Sequence, residues 1–173
     1  AAARGVARVT RQKKTSRAFR TRIFETSCCR EDYLCRVGPL LIFVAMRVRL
    51  VSGSHFSAAH RLHRDDWDAE TNRRVFDKCN NEHGHGHTYE LEVTVEGDID
   101  PETGYVMDFA DLKHVVHDSV IKELDRRHLN FDVPFLSGVN PTAENIAVAI
   151  WDRLLPRIGP AKLVRVTLNE TEK

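Results

Sequence analysis

One thiol and three imidazoles, groups able to bind a metal or attack an electrophile, fall within nine residues, C-N-N-E-H-G-H-G-H from Cys79 to His87. A β-rich run, T-Y-E-L-E-V-T-V-E, follows at once. Side chains at i and i+2 of a strand point to one face, so His85 and His87 aim two imidazoles at one place. His83 shares that face if the strand reaches back to it. Gly84 and Gly86, on the other face, let another backbone approach closely. This is metal-ligand spacing with a thiol just upstream.

A catalytic zinc takes three protein ligands and keeps a position open. His85 and His87 supply two. His60, near the end of the preceding strand-like segment, is best placed for the third, although the set His83, His85 and His87 also satisfies the spacing. Cys79 has two chemical roles open to it. As a fourth ligand it closes the site and makes it structural. As a thiol beside a cation and imidazoles its pKa falls, and it serves as base or nucleophile.

Asp125 and His128 follow the first long helix. A carboxylate bonded to an imidazole orients it for proton transfer, while charges at a helix end are equally ordinary surface groups. Glu144 sits in the first turn of a second helix, where a negative charge suits the dipole. Glu170 ends a strand. Neither stands out on spacing alone.

The elements that must position these groups follow from pattern. Met46 to Leu62 reads as a long strand, broken near Gly53 by a bulge. A short helix is expected around Glu70–Phe76, and a second strand over Thr88–Glu96. The turn residues from Asp98 to Gly104 lead into a short strand, Tyr105–Met107, and then to Asp108 as a helix N-cap. Phe109, Leu112, Val116, Val120 and Leu124 make one apolar stripe on a helix over 109–124. A polar loop, Asp125–Pro134, separates it from a second helix capped by Thr142. Ile146, Ile150, Trp151, Leu154 and Leu155 form the buried face of that helix. Leu163–Leu168 is the last strand. Strands and helices without a βαβ repeat indicate an α+β domain, an antiparallel sheet carrying helices on one face.

Charge divides the chain. Residues 1–45 hold ten Lys or Arg against three acidic residues, and residues 46–173 hold 16 against 22. The acidic body is a poor nucleic-acid surface. The basic stretch reads as an unstructured extension: a start assigned upstream of Met46, a transit peptide, or a tail for an acidic partner. Its apolar run Leu40–Ala45 is far short of the roughly 20 residues that span a bilayer. Cys28, Cys29 and Cys35 lie in it, which leaves the body Cys79 alone and no disulfide framework. That fits a reducing, cytoplasmic compartment.

The body resembles the 6-pyruvoyl-tetrahydropterin synthase / 6-carboxy-tetrahydropterin synthase family. The residues that carry the likeness are F-S-A-A-H-R-L (56–62), K-C-N-N-E-H-G-H-G-H-T-Y (78–89), G-D-I-D-P-E-T-G-Y-V-M-D-F-A-D-L-K (97–113), L-D-R-R-H-L-N (124–130), N-P-T-A-E-N (140–145) and V-x-L-x-E-T (166–171). The resemblance implies the tunnelling fold, a four-stranded antiparallel sheet with two helices on one face, assembled through an oligomeric barrel into a homo-hexamer. It implies zinc held by His60, His85 and His87, and 7,8-dihydroneopterin triphosphate as substrate. Cys79 would be the general base, with Asp125 in its proton relay. Glu170 would anchor the pterin edge, and Thr142 and Glu144 would line the pocket. The family's relay histidine directly follows the aspartate. Arg126 stands there, and His128 is the nearest histidine. The implied reaction is loss of triphosphate to give 6-pyruvoyl-tetrahydropterin. The 6-carboxy product, or a decayed homologue that only binds zinc or pterin, is the alternative.

Overall fold

In the computed structural model the described residues are 6–9 and 47–170. Three long strands carry the sheet: β2 (Arg47–His60), β3 (His85–Asp98) and β5 (Lys162–Glu170), with β3 between the other two and antiparallel to both. Two short strands extend it. β1 (Val6–Val9) pairs parallel with β5, and β4 (Arg127–His128) pairs parallel with β2. The expected four-stranded antiparallel sheet is therefore a mixed sheet of order β1-β5-β3-β2-β4, open at both edges. Both parallel pairings come from segments that the period-two pattern did not mark as strands. Val6–Val9 also lies inside the stretch expected to be unstructured, the rest of which is outside the described residues.

Pairing of β2 with β3 runs without a slip from Arg47↔Asp98 to His60↔His85. Gly53 pairs with Glu92 inside that ladder, so the expected bulge is absent. The irregularity lies instead between Thr94 and Val95, where β3 meets β5. Tyr105–Met107 is not a strand. The Asp100 N–H donates to the Tyr105 carbonyl and the Gly104 N–H to the Asp100 carbonyl, each at 2.8 Å, so this backbone is committed to a turn.

One face of the sheet is apolar and covered by helices. Leu50, Phe56, Tyr89, Leu91, Val93, Val166 and Leu168 pack there against Leu112, Val116, Val120, Leu124, Ile146, Ile150 and Leu154. Two helical runs deliver those residues. The first is α2 (Phe109–Val116), a π turn (His117–Ile121) and α3 (Lys122–Leu124); the second is α4 (Ala143–Leu154). Apolar residues at strict four-residue spacing drift about 40° per step around an α-helix. The wider π turn offsets that drift and keeps Val120 and Leu124 on the sheet. Asp108 and Thr142 cap the two runs as expected, accepting from Ala110 N at 2.7 Å and Asn145 N at 3.3 Å. Leu155, expected on the buried face, is 54% exposed, because the chain leaves α4 there for a 3₁₀ turn, Leu155–Arg157. A further helix, α1 (Ala69–Phe76), lies where a short one was expected. No helix among the described residues is long and apolar enough to cross a membrane.

Candidate metal and pterin site

The register of β2 on β3 builds the site. His60 is the cross-strand partner of His85, and Ala58 that of His87, at the end of the ladder. All three histidines project from the apolar face beside Phe56 and Tyr89. Their ligand nitrogens lie within 4.8 Å of one another, and among the described residues they form the group able to hold a metal. Nε2 of His60 is 3.3 Å from Nε2 of His85. Zinc–nitrogen bonds of about 2.0–2.1 Å put tetrahedral ligand atoms about 3.3–3.4 Å apart, so this pair stands at the spacing of two ligands on one small dication.

His60 is 1% exposed. Its Nδ1 lies 2.9 Å from the carbonyl oxygen of Pro141, which can only accept. The proton is therefore on Nδ1 and the Nε2 lone pair faces the cluster, the arrangement a ligating histidine needs. Burial lowers the His60 pKa, with the Pro141 carbonyl and Glu170 acting in the opposite sense. Burial thus favours the neutral, ligating form.

Glu170 joins this cluster from the adjacent strand. Its Oε1 is 3.1 Å from Nε2 of His87 and 3.4 Å from Nε2 of His60. A carboxylate oxygen against imidazole lone pairs is repulsive unless a proton or a cation stands among them. The donor set itself therefore calls for positive charge there. Tyr89, two residues beyond His87, is buried and places its hydroxyl 3.3 Å from Oε1 of Glu170 and 3.4 Å from Nδ1 of His60. Burial first, and the Glu170 charge next, raise the Tyr89 pKa, so its phenol stays protonated.

His83 lies outside the group. Gly84 adopts φ +72°, which ends the strand alternation one residue before His85 and leaves His83 exposed. A Cβ at Gly84 would come within 2.8 Å of both the His60 carbonyl oxygen and His128 Nε2, so the close backbone approach expected here is real. At Gly86 the corresponding contact is an ordinary 3.7 Å, to the Ala58 carbonyl.

Cys79 is a half-buried thiol in the 3₁₀ turn Asp77–Asn80 and is not part of the ligand group. Its carbonyl accepts from Leu62 N at 2.8 Å, and Asn80 Nδ2 donates to the Leu62 carbonyl at 2.7 Å. These two bonds tie the turn to the chain just past His60. Thr142 stands at the N-terminus of α4, next to the Pro141 carbonyl that binds His60. Glu144 is exposed in the first turn.

The Asp125–His128 pair is not assembled. Oδ1 of Asp125 accepts from Ser57 N at 2.9 Å, and Oδ2 lies 3.6 Å from Nε of Arg126. Arg126 has φ 58°, so the chain turns out of the helix before β4 and residues 125 and 128 do not share a helical face. His128 packs instead against Gly84 and Phe131, the ring centroids 4.5 Å apart. That brings it near the cluster by a route that helix spacing does not describe. Sequence reasoning also passed over Tyr89, although the alternation that selects His85 and His87 places residue 89 on the same face. Nothing in the sequence marks the Pro141 carbonyl.

Against known families, residues 49–173 match the model described as PTPS, 6-pyruvoyl tetrahydropterin synthase. The chain belongs to the 6-pyruvoyl tetrahydropterin synthase family. Human 6-pyruvoyl tetrahydrobiopterin synthase is 45% identical over 117 residues, 68% of this chain and 81% of the human protein. The solved structure of Caenorhabditis elegans 6-pyruvoyl tetrahydropterin synthase superposes with a TM-score of 0.70 at 37% identity, covering 75% of this chain and 93% of that one. A dihydroneopterin monophosphate aldolase of Pyrococcus furiosus is 42% identical over 126 residues, 72% of this chain and 91% of that protein. Family and fold thus agree with the motifs read from the sequence.

Proposed function

We propose that the protein is a zinc-dependent lyase that converts 7,8-dihydroneopterin triphosphate to 6-pyruvoyl-tetrahydropterin with loss of triphosphate. The observation that carries this reading is the convergence of His60, His85 and His87 beside a carboxylate, within a chain of this family. His60, His85 and His87 hold the metal, with Pro141 fixing the His60 tautomer. Bound zinc supplies Lewis acidity toward the hydroxyls of the substrate side chain. Cys79 takes a proton from the neighbouring side-chain carbon as general base, and Asp125 and His128 serve it as separate relay groups rather than as a bonded pair. Glu170 accepts paired, charge-assisted hydrogen bonds from the guanidine-like edge of the pterin, and Thr142 and Glu144 line the same pocket. Hydrogen is redistributed within the substrate and triphosphate leaves as an anion, so no redox cofactor is required. We place this activity in the cytoplasm, in a hexamer of two stacked trimers, with neither nucleic acid nor membrane as a partner.

A second reading, cleavage of a carbon–carbon bond in the side chain, draws on the Pyrococcus relative and on Asp125, which bonds Ser57 rather than a histidine. The 6-carboxy-tetrahydropterin product belongs to this reading. One experiment separates them. Purified protein is loaded with zinc, incubated with 7,8-dihydroneopterin triphosphate and analysed by mass spectrometry. Inorganic triphosphate with a retained three-carbon side chain supports the first reading. A two-carbon fragment supports the second, and an unchanged substrate leaves only a binding protein.

A further inference from the structure

Tyr89 has no place in the mechanism above, yet its hydroxyl lies between a metal-site histidine and the carboxylate beside it. The ring is 0% exposed and stacks on Phe56, centroids 4.9 Å apart with planes 16° from parallel. That stack fixes the ring plane and leaves the hydroxyl little freedom. Tyr89 is also the cross-strand partner of Glu170 where β3 meets β5, so sheet register brings the two together.

The proton inventory decides the direction of the hydrogen bonds. Nδ1 of His60 gives its proton to the Pro141 carbonyl at 2.9 Å, so at 3.4 Å it can only share that N–H with the Tyr89 oxygen. The Tyr89 O–H is then directed to Oε1 of Glu170 at 3.3 Å. The other close partners of Oε1 are Nε2 of His87 and Nε2 of His60, which have no proton to give when they act as ligands. Tyr89 is then the donor left to hold this oxygen.

We propose that Tyr89 is a positioning residue, whose phenol O–H clamps one oxygen of Glu170 against the histidine cluster and leaves the carboxylate oriented to receive the pterin edge. The clamp links the ligand His60 to Glu170 through one buried hydroxyl. Its functional part rests on the assignment of Glu170 as the pterin anchor.

Tyr89→Phe keeps the stacked ring and removes only the hydroxyl. In the full-length zinc-loaded protein this variant retains its zinc. Its KM for 7,8-dihydroneopterin triphosphate rises about tenfold, the scale of one hydrogen bond to a charged group, and kcat stays within about twofold. In a Glu170→Gln background the same substitution changes KM by less than about twofold, because the clamp has lost its charged acceptor. An unchanged KM in Tyr89→Phe, or an equal rise in both backgrounds, overturns the proposal. Thermal unfolding of the four zinc-loaded proteins reads the clamp without any substrate: non-additive shifts support it and additive shifts overturn it. A wild-type protein that neither binds nor turns over the pterin removes the proposed function, and the unfolding cycle still decides whether the clamp exists.

Discussion

His60 and His85 are cross-strand partners whose Nε2 atoms lie 3.3 Å apart, so two candidate ligands are set by sheet register rather than by a loop. Such ligands are held in place before any metal arrives. Purified protein should bind about one zinc per chain. His85→Ala should lower zinc affinity by more than about 100-fold, beyond what loss of an outer partner costs. Competition with a chromogenic chelator measures this, and circular dichroism checks that the fold persists. Unchanged affinity would mean that the cluster is not a metal site.

Gly84 carries a different prediction. At φ +72° a side chain is strained, and its Cβ would sit 2.8 Å from the His60 carbonyl oxygen and from His128 Nε2. The carbonyl is backbone and cannot move aside without shifting His60, a candidate ligand. Gly84→Ala should cost about 1–3 kcal/mol in denaturant unfolding and should weaken zinc binding as well. Gly86→Ala is the control: its nearest contact is 3.7 Å, and alanine there should change stability by less than about 1 kcal/mol in either direction. Equal effects at the two glycines would contradict this account.

His85 and His87 were legible as one candidate group because strand alternation is local and both sit on β3; His60, on β2, joins them only through the family resemblance and the register of the two strands. Even so, spacing alone left His83 among them, and only the left-handed turn at Gly84 removes it. The helices were legible through their apolar stripes and their caps, Asp108 and Thr142. What escaped is non-local or conformational. β4 forms because Arg126 takes a positive φ that its side chain does not announce, and two residues are too few to show a period. That same turn separates Asp125 from His128, which helix spacing would have joined. Gly53 suggested a bulge, but a glycine in a strand also fits an unbroken ladder, and pairing with Glu92 is what occurs. Glu170 and Tyr89 meet through β5, a pairing that spans 81 residues of sequence.

The turn after β3 gives a pH dependence with a definite sign. The Asp100 carboxylate accepts from Glu102 N at 2.8 Å and Thr103 N at 2.9 Å. Its pKa is lowered from the ordinary 3.8, first by the bond from Thr103 N and next by that from Glu102 N. A carboxyl whose folded pKa is depressed stabilises the fold at pH above its unfolded value, and the contribution is lost as pH falls through the folded one. Asp100→Asn keeps an acceptor oxygen for the turn but does not titrate. The two proteins should therefore differ in the acid limb. Relative to its own stability at pH 7, wild type should lose more than Asp100→Asn below about pH 4. Thermal unfolding from pH 3 to 7 checks this, and parallel curves would show that the turn bonds carry no pH-linked stability.

Cys79 separates chemistry from metal binding most directly. It sits in the turn tied to Leu62 and lies outside the histidine group, so removal of its sulfur should leave the ligands in place. Cys79→Ala should keep its zinc and lower kcat about 10²–10⁴-fold, the usual contribution of a general base. Cys79→Ser should recover little, because a hydroxyl is a far weaker base than a thiolate near neutral pH. Metal content and single-turnover kinetics on the same preparations decide the matter. Zinc lost together with activity would make Cys79 a fourth ligand and the site a closed, structural one.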